Sequence, residues 1–219
     1  DHWSDRFVIR ANADGAVDFK LMTSDAAHPS RDTWRDLVPH RPGVYLTGFD
    51  LSARHMIRIE RENANTRIIV TRKADMDEHV IAVDEEVYSL GGGGGYEYDS
   101  PILRYAYTSP TTPAQTFDYD METRQRVLRK TQVIPSGHDP AAYVARRLYA
   151  TAPDGAQVPV SVLMKKDTPL DGSAPLLLYG YGSYGMPMDP GFSIRSLSLV
   201  DRGWIYAPFV ARNLLDDLT

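Results

Sequence analysis

Residues 175–203, PLLLYGYGSYGMPMDPGFSIRSLSLVDRG, decide how the carboxyl-terminal part of this chain folds. Leu176–Tyr179 is a short apolar run between Pro and Gly, a pattern that predicts a buried inner strand of an α/β sheet. The turn after it places Tyr179, Tyr181 and Tyr184 beside glycines, which allow a ligand to approach the backbone closely. Because α/β folds build their sites at the carboxyl ends of strands, this turn is a candidate site.

A helix is predicted after this turn. It begins after Asp189-Pro190 or at Ser193, because Asp and Ser cap helices and Pro is tolerated at the first helical position. Gly203 supplies the left-handed residue that ends a helix, and Trp204–Val210 is predicted to be the next strand. The side chains expected on the buried face of the helix are all apolar: Phe192, Ile194, Leu197, Leu199 and Val200.

A β-hairpin is predicted before this region. Arg147–Ala152 and Gln157–Lys165 flank the turn Pro153-Asp154-Gly155, whose residues are typical turn formers. The second strand alternates apolar and other residues, which predicts one apolar face. Pro159 cannot donate to a ladder, so we expect this strand at a sheet edge.

Up to about residue 140 the chain is predicted to be all-β, since short β-prone runs alternate with turn formers and no long stretch has helical periodicity. Three segments beginning at Phe7, Met56 and Leu103 each combine a strand, a polar turn and a second strand. Their starts lie about 45–50 residues apart, the period of a four-stranded propeller blade. About three blades fit into this region, fewer than a closed propeller needs. We therefore expect strand edges without a pairing partner.

Composition excludes several classes of function. The net charge of −5 argues against a general nucleic-acid binder, and no apolar run approaches the length that crosses a bilayer. The chain has no cysteine, so it offers neither disulfides nor thiolate metal ligands, which fits a reducing, cytoplasmic location. Nothing in the sequence indicates a metal or another cofactor.

Two motifs in the glycine-rich turn have alternative interpretations. Gly180–Gly185 satisfies the G-x-G-x-x-G dinucleotide pattern, but Pro187 and Pro190 interrupt the helix that must open within the glycines. Ser183 lacks the glycine two positions before it that a nucleophile elbow requires, because Tyr181 stands there. Nucleotide binding and a nucleophilic Ser183 are therefore both disfavoured.

No complete catalytic constellation is evident elsewhere. The run Gly91–Gly95 lacks the Gly-Lys-Ser/Thr of a phosphate loop and is predicted to be a flexible loop. The acidic pairs Glu85-Glu86 and Asp216-Asp217 would point apart on a strand. His138-Asp139-Pro140 is predicted to be a turn, and the scattered histidines are interpreted as surface or packing residues: His2, His28, His40, His55, His79 and His138.

Taken together, these segments resemble the prolyl oligopeptidase family of serine peptidases, and most closely its oligopeptidase B branch. The resemblance is most specific in LLLYGYGSYG and DPGFSIRSLSLVDRG. The stretches that carry it are residues 176–185, 189–203 and 138–163, with residues 107–120, 7–21 and 38–49 in support. Beyond Ala207 the chain departs from the family pattern, since PFVARN stands where a His-x-Arg-Gly-Gly run is expected.

This resemblance implies a mixed β and α/β fold: a partial β-propeller made of C-terminal blades, followed by the first strands and helix of an α/β-hydrolase domain. The expected domains are residues 1–138 and residues 139–219. The partners would be short peptides, cleaved after Arg or Lys. Tyr181 would stabilise the oxyanion, and Tyr184 would lie near the pocket for the substrate side chain.

The family places its catalytic Ser, Asp and His on later elements, so the chain is expected to be a fragment that is inactive alone. The competing hypothesis is a non-catalytic interaction module derived from a β-propeller. The coding sequence that follows would discriminate the two, because a peptidase needs a glycine-framed serine and then Asp and His.

Overall fold

The computed structural model describes residues 2–92, 97–181 and 188–210 of the chain. Within them the backbone forms four four-stranded sheets and one α-helix. The chain divides into two compact units. The first consists of Asp1–Val83, Leu90–Ala106 and Thr116–Arg129, and the second of Asp84–Ser89, Tyr107–Gln115 and Lys130–Thr219.

Three sheets follow one another along residues 2–131, and in each the strands pair in chain order. The first contains β1 (His2–Trp3), β2 (Arg6–Ala11), β3 (Lys20–Asp25) and β4 (Arg35–Val38). The second contains β5 (Val44–Leu51), β6 (His55–Glu62), β7 (Asn65–Arg72) and β8 (Glu78–Val80). The third contains β9 (Ser89–Gly92), β10 (Ile102–Thr108), β11 (Gln115–Asp120) and β12 (Arg126–Thr131).

The internal repeat corresponds to the two central strands of each sheet. Its three copies are the pairs β2–β3, β6–β7 and β10–β11. The first two pairs are antiparallel along their whole length. The prediction of an all-β region built from three four-stranded units is therefore confirmed.

The outer strands were predicted less well. β1, β4, β9 and β12 were missed. All six residues of β12 are exposed, so that strand shows no alternation of buried and exposed positions. Gly91 and Gly92 were expected in a flexible loop, but they end β9. At Gly92 a Cβ atom would lie 3.0 Å from the carbonyl oxygen of Arg104, so the strand approaches its neighbour through the glycine. Residues 93–96 lie outside the described residues.

The core of the first unit is built by the alternation of these strands. One cluster joins apolar side chains from β2, β3, β5 and β6, all of them buried. Its members are Val8, Leu21, Leu46, Leu51 and Met56. Because successive side chains of a strand point to opposite faces, these positions define one buried face of each strand.

A charged network is buried on the second sheet. Arg58 and Glu60 are both almost fully buried, and the Arg58 Nε donates to Glu60 at 3.1 Å. Arg58 also donates to Glu78 at 2.6 Å and to the Thr71 hydroxyl at 3.2 Å. These hydrogen bonds hold the pKa of the Glu78 carboxyl below its usual range. Arg41 completes the network with a contact to Glu60.

Two histidines lie in the interior of the same unit. His55 is 1% exposed, and neither of its ring nitrogens makes a hydrogen bond with any described residue. Its Nε2 lies 3.5 Å from a Glu122 oxygen, while His79 forms a 2.8 Å hydrogen bond with the Tyr119 hydroxyl. Burial disfavours the charged imidazolium and lowers the pKa of both histidines.

The second unit contains the fourth sheet, with the strand order β13 (Tyr143–Thr151), β14 (Gln157–Lys165), β16 (Ile205–Val210) and β15 (Leu176–Tyr181). β13 and β14 form the predicted hairpin and pair antiparallel from Tyr143 with Lys165 to Thr151 with Gln157. β14 also pairs antiparallel with β16, whereas β15 and β16 are parallel.

Two predictions about these strands are wrong. Pro159 led us to expect β14 at a sheet edge, but β14 lies inside the sheet. The pairing of β14 with β16 spans only Val160 to Leu163, so Pro159 lies beyond the paired segment. The strand at Leu176–Tyr179 is not buried in this chain. It lies at the edge of the fourth sheet, where Leu176 and Leu178 are more than half exposed.

The predicted helix is α1 (Ile194–Val200), capped by the Ser193 hydroxyl, which accepts a hydrogen bond from the Ser196 amide. Gly203 has φ +85°, the left-handed conformation predicted for the helix stop. Leu197 and Val200 are buried and form a core cluster with Leu163. Ile194 was expected on this face but is 53% exposed. No helix in the described part of the chain has the length and apolar character needed to cross a membrane.

Replacing Arg58 by Ala should lower the free energy of unfolding by about 3 kcal/mol, because the buried Glu60 carboxylate loses its buried guanidinium partner and keeps only the partly exposed Arg41. Urea denaturation of both proteins measures this. The matched control is Arg54→Ala, since Arg54 is 57% exposed and should contribute below about 1 kcal/mol. Equal effects of the two substitutions would contradict a buried network that stabilises the sheet.

The depressed pKa of His55 predicts a pH dependence of stability. Above about pH 6.5, the usual pKa of histidine, the neutral form exists in both states and its contribution is complete. As the pH falls below that value toward the folded-state pKa, the unfolded chain binds the proton first and stability is lost. Urea unfolding at pH 7.5 and pH 5 should therefore show a smaller loss in His55→Leu than in the wild type. An exposed control, His28→Ala, should keep the wild-type loss, and an unchanged loss in His55→Leu would refute the assignment.

Candidate functional site

The carboxyl ends of β15 and β16 meet at the same edge of the fourth sheet. The two strands pair in parallel from Leu176 with Ile205 to Tyr181 with Val210, and α1 forms the crossover between them. This is a β-α-β unit, the arrangement that α/β sheets use to present residues at the carboxyl ends of their strands. Tyr181 is the last residue of β15 and lies at this edge.

Tyr181 is 40% exposed, and Tyr179, two residues earlier, is 47% exposed. The period of two along a strand places the two tyrosines on the same face of the sheet. The phenol of Tyr181 is therefore not enclosed in a packed interior and remains accessible to a ligand. Tyr184 and Ser183, the other residues predicted for this turn, lie outside the described residues.

Gly180 allows the close approach of β16 beside Tyr181. It pairs with Phe209, whose ring lies against the glycine, so that a Cβ atom at position 180 would overlap the ring. The absence of a side chain at Gly180 thus lets Phe209 lie over the end of β15. This contact supports the strand end that carries Tyr181.

The amino end of the helix does not lie within the glycine-rich turn. α1 begins at Ile194 after the Ser193 cap, whereas the dinucleotide pattern requires the helix to open within Gly180–Gly185. The position of the helix agrees with the expectation that the glycines do not form a phosphate site.

A cleft of about 290 Å³ lies between α1 and the sheet, next to the segment that precedes the helix. Hydroxyl groups of Ser161, Ser196 and Tyr206 line it together with the ring of Phe192. Burial raises the pKa of Tyr206, opposed in part by its hydrogen bond with Ser196. At neutral pH these hydroxyls can donate and accept hydrogen bonds, and Asp189 adds a carboxyl-bearing residue to the lining of the cleft.

The histidines and acids are distributed as packing and turn residues. Glu85 accepts hydrogen bonds from the hydroxyls of Thr111 and Thr112, at 3.3 and 2.6 Å. In the described part of the chain, no three His, Cys, Asp or Glu side chains are placed to hold a metal ion. Of the predicted site residues, the structure places Tyr181 in an accessible position.

His138 has a position that the sequence pattern did not predict. Asp139 does cap a short 3-10 turn at Pro140–Ala142, as expected for a turn segment. The His138 ring, however, packs between Tyr143 and Phe192 and forms a hydrogen bond with the backbone of Thr111. Tyr143 is close in sequence, but Thr111 and Phe192 are distant, so no local signal could have identified the contacts with these two residues.

Comparison with known proteins identifies the family. The sequence model described as "Prolyl oligopeptidase, N-terminal beta-propeller domain" matches residues 1–132. Dipeptidyl aminopeptidase BI of Pseudoxanthomonas mexicana is 45% identical over 208 residues, covering 94% of this chain and 28% of that protein. The structure of oligopeptidase B from Leishmania major superimposes with a TM-score of 0.85 at 32% identity, covering 95% of this chain and 30% of that one.

The chain therefore belongs to the prolyl oligopeptidase family, as the sequence predicted, and its first three sheets are blades of the family's propeller. The relatives are peptidases by name, among them Protease 2 of Moraxella lacunata at 28% identity. The chain spans less than a third of the length of these relatives.

Substitution of Gly180 by Ala should destabilise the second unit by about 1–3 kcal/mol, because the added methyl group displaces the Phe209 ring from the end of β15. Thermal or urea unfolding measures the effect. The control is Gly48→Ala in β5, where an added Cβ meets no atom within 4 Å. If Gly180→Ala is as stable as Gly48→Ala, Phe209 does not support this strand end.

Proposed function

We propose that this chain is part of a serine oligopeptidase of the oligopeptidase B type, which hydrolyses short peptides after Arg or Lys through an acyl-enzyme. The observation that carries the proposal is the accessible phenol of Tyr181 at the carboxyl end of β15, within a β-α-β unit. Membership of a peptidase family supports it.

In this proposal Tyr181 is the oxyanion donor. When the substrate carbonyl becomes tetrahedral, its oxygen gains negative charge, and the phenolic O–H donates a hydrogen bond to that oxygen. A preorganised donor of this kind lowers the barrier by about 3–4 kcal/mol, because the donor is already oriented when the charge develops. Tyr184 is proposed to line the pocket for the substrate side chain.

Residues 139–219 are proposed to begin the α/β-hydrolase domain, and residues 1–138 to be the last blades of the propeller. Support comes from the fourth sheet, which ends in a parallel pair and leaves one edge of β15 unpaired within the described residues. The half-exposed Leu176 and Leu178 lie on this strand. Further parallel strands would pair with the backbone at this edge, and their crossover helices would cover these side chains, as in the parallel sheets of α/β proteins.

The nucleophile, acid and base are proposed to lie outside these 219 residues, so that the isolated chain does not hydrolyse peptides. The test compares this chain with the full-length protein on a chromogenic peptide that ends in Arg or Lys before the reporter. Cleavage by the isolated chain would contradict the proposal that the catalytic residues lie outside it. The competing interaction module predicts no cleavage by either protein.

One relative is named a dipeptidyl aminopeptidase, so the mode of cleavage is tested separately. The same dipeptide reporter ending in Arg is offered with a free and with an acylated amino terminus. An oligopeptidase that cleaves within peptides accepts both forms. Release only from the free form would overturn the oligopeptidase B assignment and favour removal of dipeptides from the amino terminus.

Tyr181→Phe in the full-length protein should lower kcat by about 100-fold or more, since the phenylalanine lacks the hydroxyl that donates to the oxyanion. KM for the Arg reporter should change little. The matched control is Tyr179→Phe, which removes a hydroxyl two residues away on the same face of the same strand. Equal kcat values for the two variants would refute the role of Tyr181.

A further inference from the structure

His55 is a buried titratable side chain to which the fold gives no hydrogen-bond partner. It is 1% exposed, and within the described part of the chain neither Nδ1 nor Nε2 is hydrogen-bonded. Because buried polar atoms are nearly always paired, an unpaired buried ring requires an explanation. The neutral imidazole tolerates this position, since it carries no charge that must be solvated.

The ring lies where turns of the second and third sheets meet. His55 begins β6, directly after the turn from β5, and its Nε2 is 3.5 Å from a carboxylate oxygen of Glu122, which lies between β11 and β12. A backbone hydrogen bond crosses between the same sheets, from the Ala53 amide to the Tyr98 carbonyl oxygen at 2.8 Å. Both sheets belong to the first compact unit. We call this junction, formed by residues 52–55, 98 and 120–124, the seam.

Charged and titratable groups face the ring from each element packed against it. They are the carboxylates of Asp120 and Glu122, the guanidinium groups of Arg54 and Arg72, and the imidazole of His79 on β8. The Glu122 carboxylate is already shared, because Arg54 approaches it to 3.5 Å and Arg72 to 4.0 Å. A protonated His55 would compete with two arginines for this carboxylate, and both arginines repel it.

The side chains that close the seam form mostly exposed ion pairs. Arg124 donates to Asp77, in the turn between β7 and β8, at 2.7 Å. The arginines of the seam, Arg54, Arg72 and Arg124, have side chains that are 57%, 40% and 52% exposed. Exposed pairs contribute little stability, because water and salt screen them. By contrast, β6 and β7 pair over eight consecutive residues, so the seam can open while the sheets stay intact.

We propose that His55 is an acid-sensitive latch between the second and third sheets, which is closed while the ring is neutral and opens when the ring takes up a proton. In the closed seam the imidazolium would bury two N–H groups beside a carboxylate shared with two arginines. In the open seam water solvates both N–H groups. Proton uptake therefore favours the open form. This inference does not depend on the proposed peptidase function.

Proton linkage predicts the size of the effect. Burial lowers the pKa of His55 in the closed seam, whereas in the open seam the ring has the ordinary pKa of about 6.5. Well above that value the ring is neutral in both forms, and as the pH falls the open form binds the proton first. Between pH 7.5 and pH 5.5 the open population should rise severalfold, with a limit of about tenfold.

Hydrogen exchange of the full-length protein at these two pH values, measured by mass spectrometry, tests the latch. The Ala53 amide is the reporter, because its hydrogen bond crosses the seam. Rates are expressed as protection factors, which remove the intrinsic pH dependence of exchange. Protection of residues 52–56 and 120–125 should fall severalfold at pH 5.5, whereas residues 57–61 and 66–70, inside the β6–β7 pairing, should keep theirs.

Two variants assign the effect to one histidine. His55→Leu removes the titrating ring without removing a side-chain hydrogen bond, and it should abolish the fall in protection. His55→Gln, which does not titrate in this range, replaces it if the Leu variant does not fold. The matched control is His79→Phe, because His79 belongs to the same junction but is hydrogen-bonded to the Tyr119 hydroxyl. This variant should keep the fall in protection.

Four outcomes would overturn the latch. Protection of Ala53 that is equal at both pH values shows that the seam does not respond to acid. Higher protection at pH 5.5 shows that the imidazolium pairs with Glu122 and tightens the seam. A fall that persists without His55, or disappears only in His79→Phe, assigns the effect to another group. An equal fall throughout the β6–β7 pairing shows that the whole unit unfolds and that no local opening precedes it.

Discussion

The parallel pairing of β15 with β16 is the constraint on which the geometry of the candidate site depends. Parallel strands need a crossover between them, and α1 fits here because Leu197 and Val200 bury against the sheet beside Leu163. Without that burial, a helix of seven residues would not persist in water. The helix and the strand pairing therefore stabilise each other, and together they place Tyr181 at the carboxyl ends of the parallel strands.

The two units are stabilised by different chemistry. In the first, charged groups are removed from water, and Arg58 and Glu60 remain there because each finds an opposite charge. Such a network contributes little net stability but is costly to break, so it favours one arrangement of the strands. In the second unit the buried polar groups are mostly hydroxyls, as at Ser109, Thr111 and Ser161. Neutral groups cost less to bury than charged groups, so these hydroxyls need only hydrogen-bond partners and no opposite charge.

The sequence predicted the parts of the fold that local patterns determine. The central strands of the blades are short β-prone runs between turn formers, and the α1 boundaries follow from a serine cap and a left-handed glycine. β12 was missed because it is exposed on both faces, and no period of two is visible in RVLRKT. β15 has the composition of a buried strand. Its burial, however, depends on the elements that lie beside its unpaired edge and over its faces, and composition does not reveal whether those elements are present.

In the candidate site, too, local patterns predicted some features, whereas contacts between distant residues were missed. Tyr181 was predicted because the glycines and the strand that precede it are adjacent in the sequence. His138 was interpreted as part of a turn, which describes its backbone correctly but not its ring. Two partners of that ring, Thr111 and Phe192, are 27 and 54 residues away, so those contacts follow only from the tertiary fold.

The ends of the stretch from Tyr181 to Phe192 are held with unequal strength. At Tyr181, six consecutive residue pairs join β15 to β16, and a ladder of this kind opens cooperatively. At Phe192 the restraint consists of one amide hydrogen bond and one edge-on aromatic contact. Each contributes about 0.5–1.5 kcal/mol, so losing one shifts the local population about two- to twelvefold without unfolding the sheet. The contacts at Phe192 can therefore open without disturbing the strand pairing that holds the backbone of Tyr181.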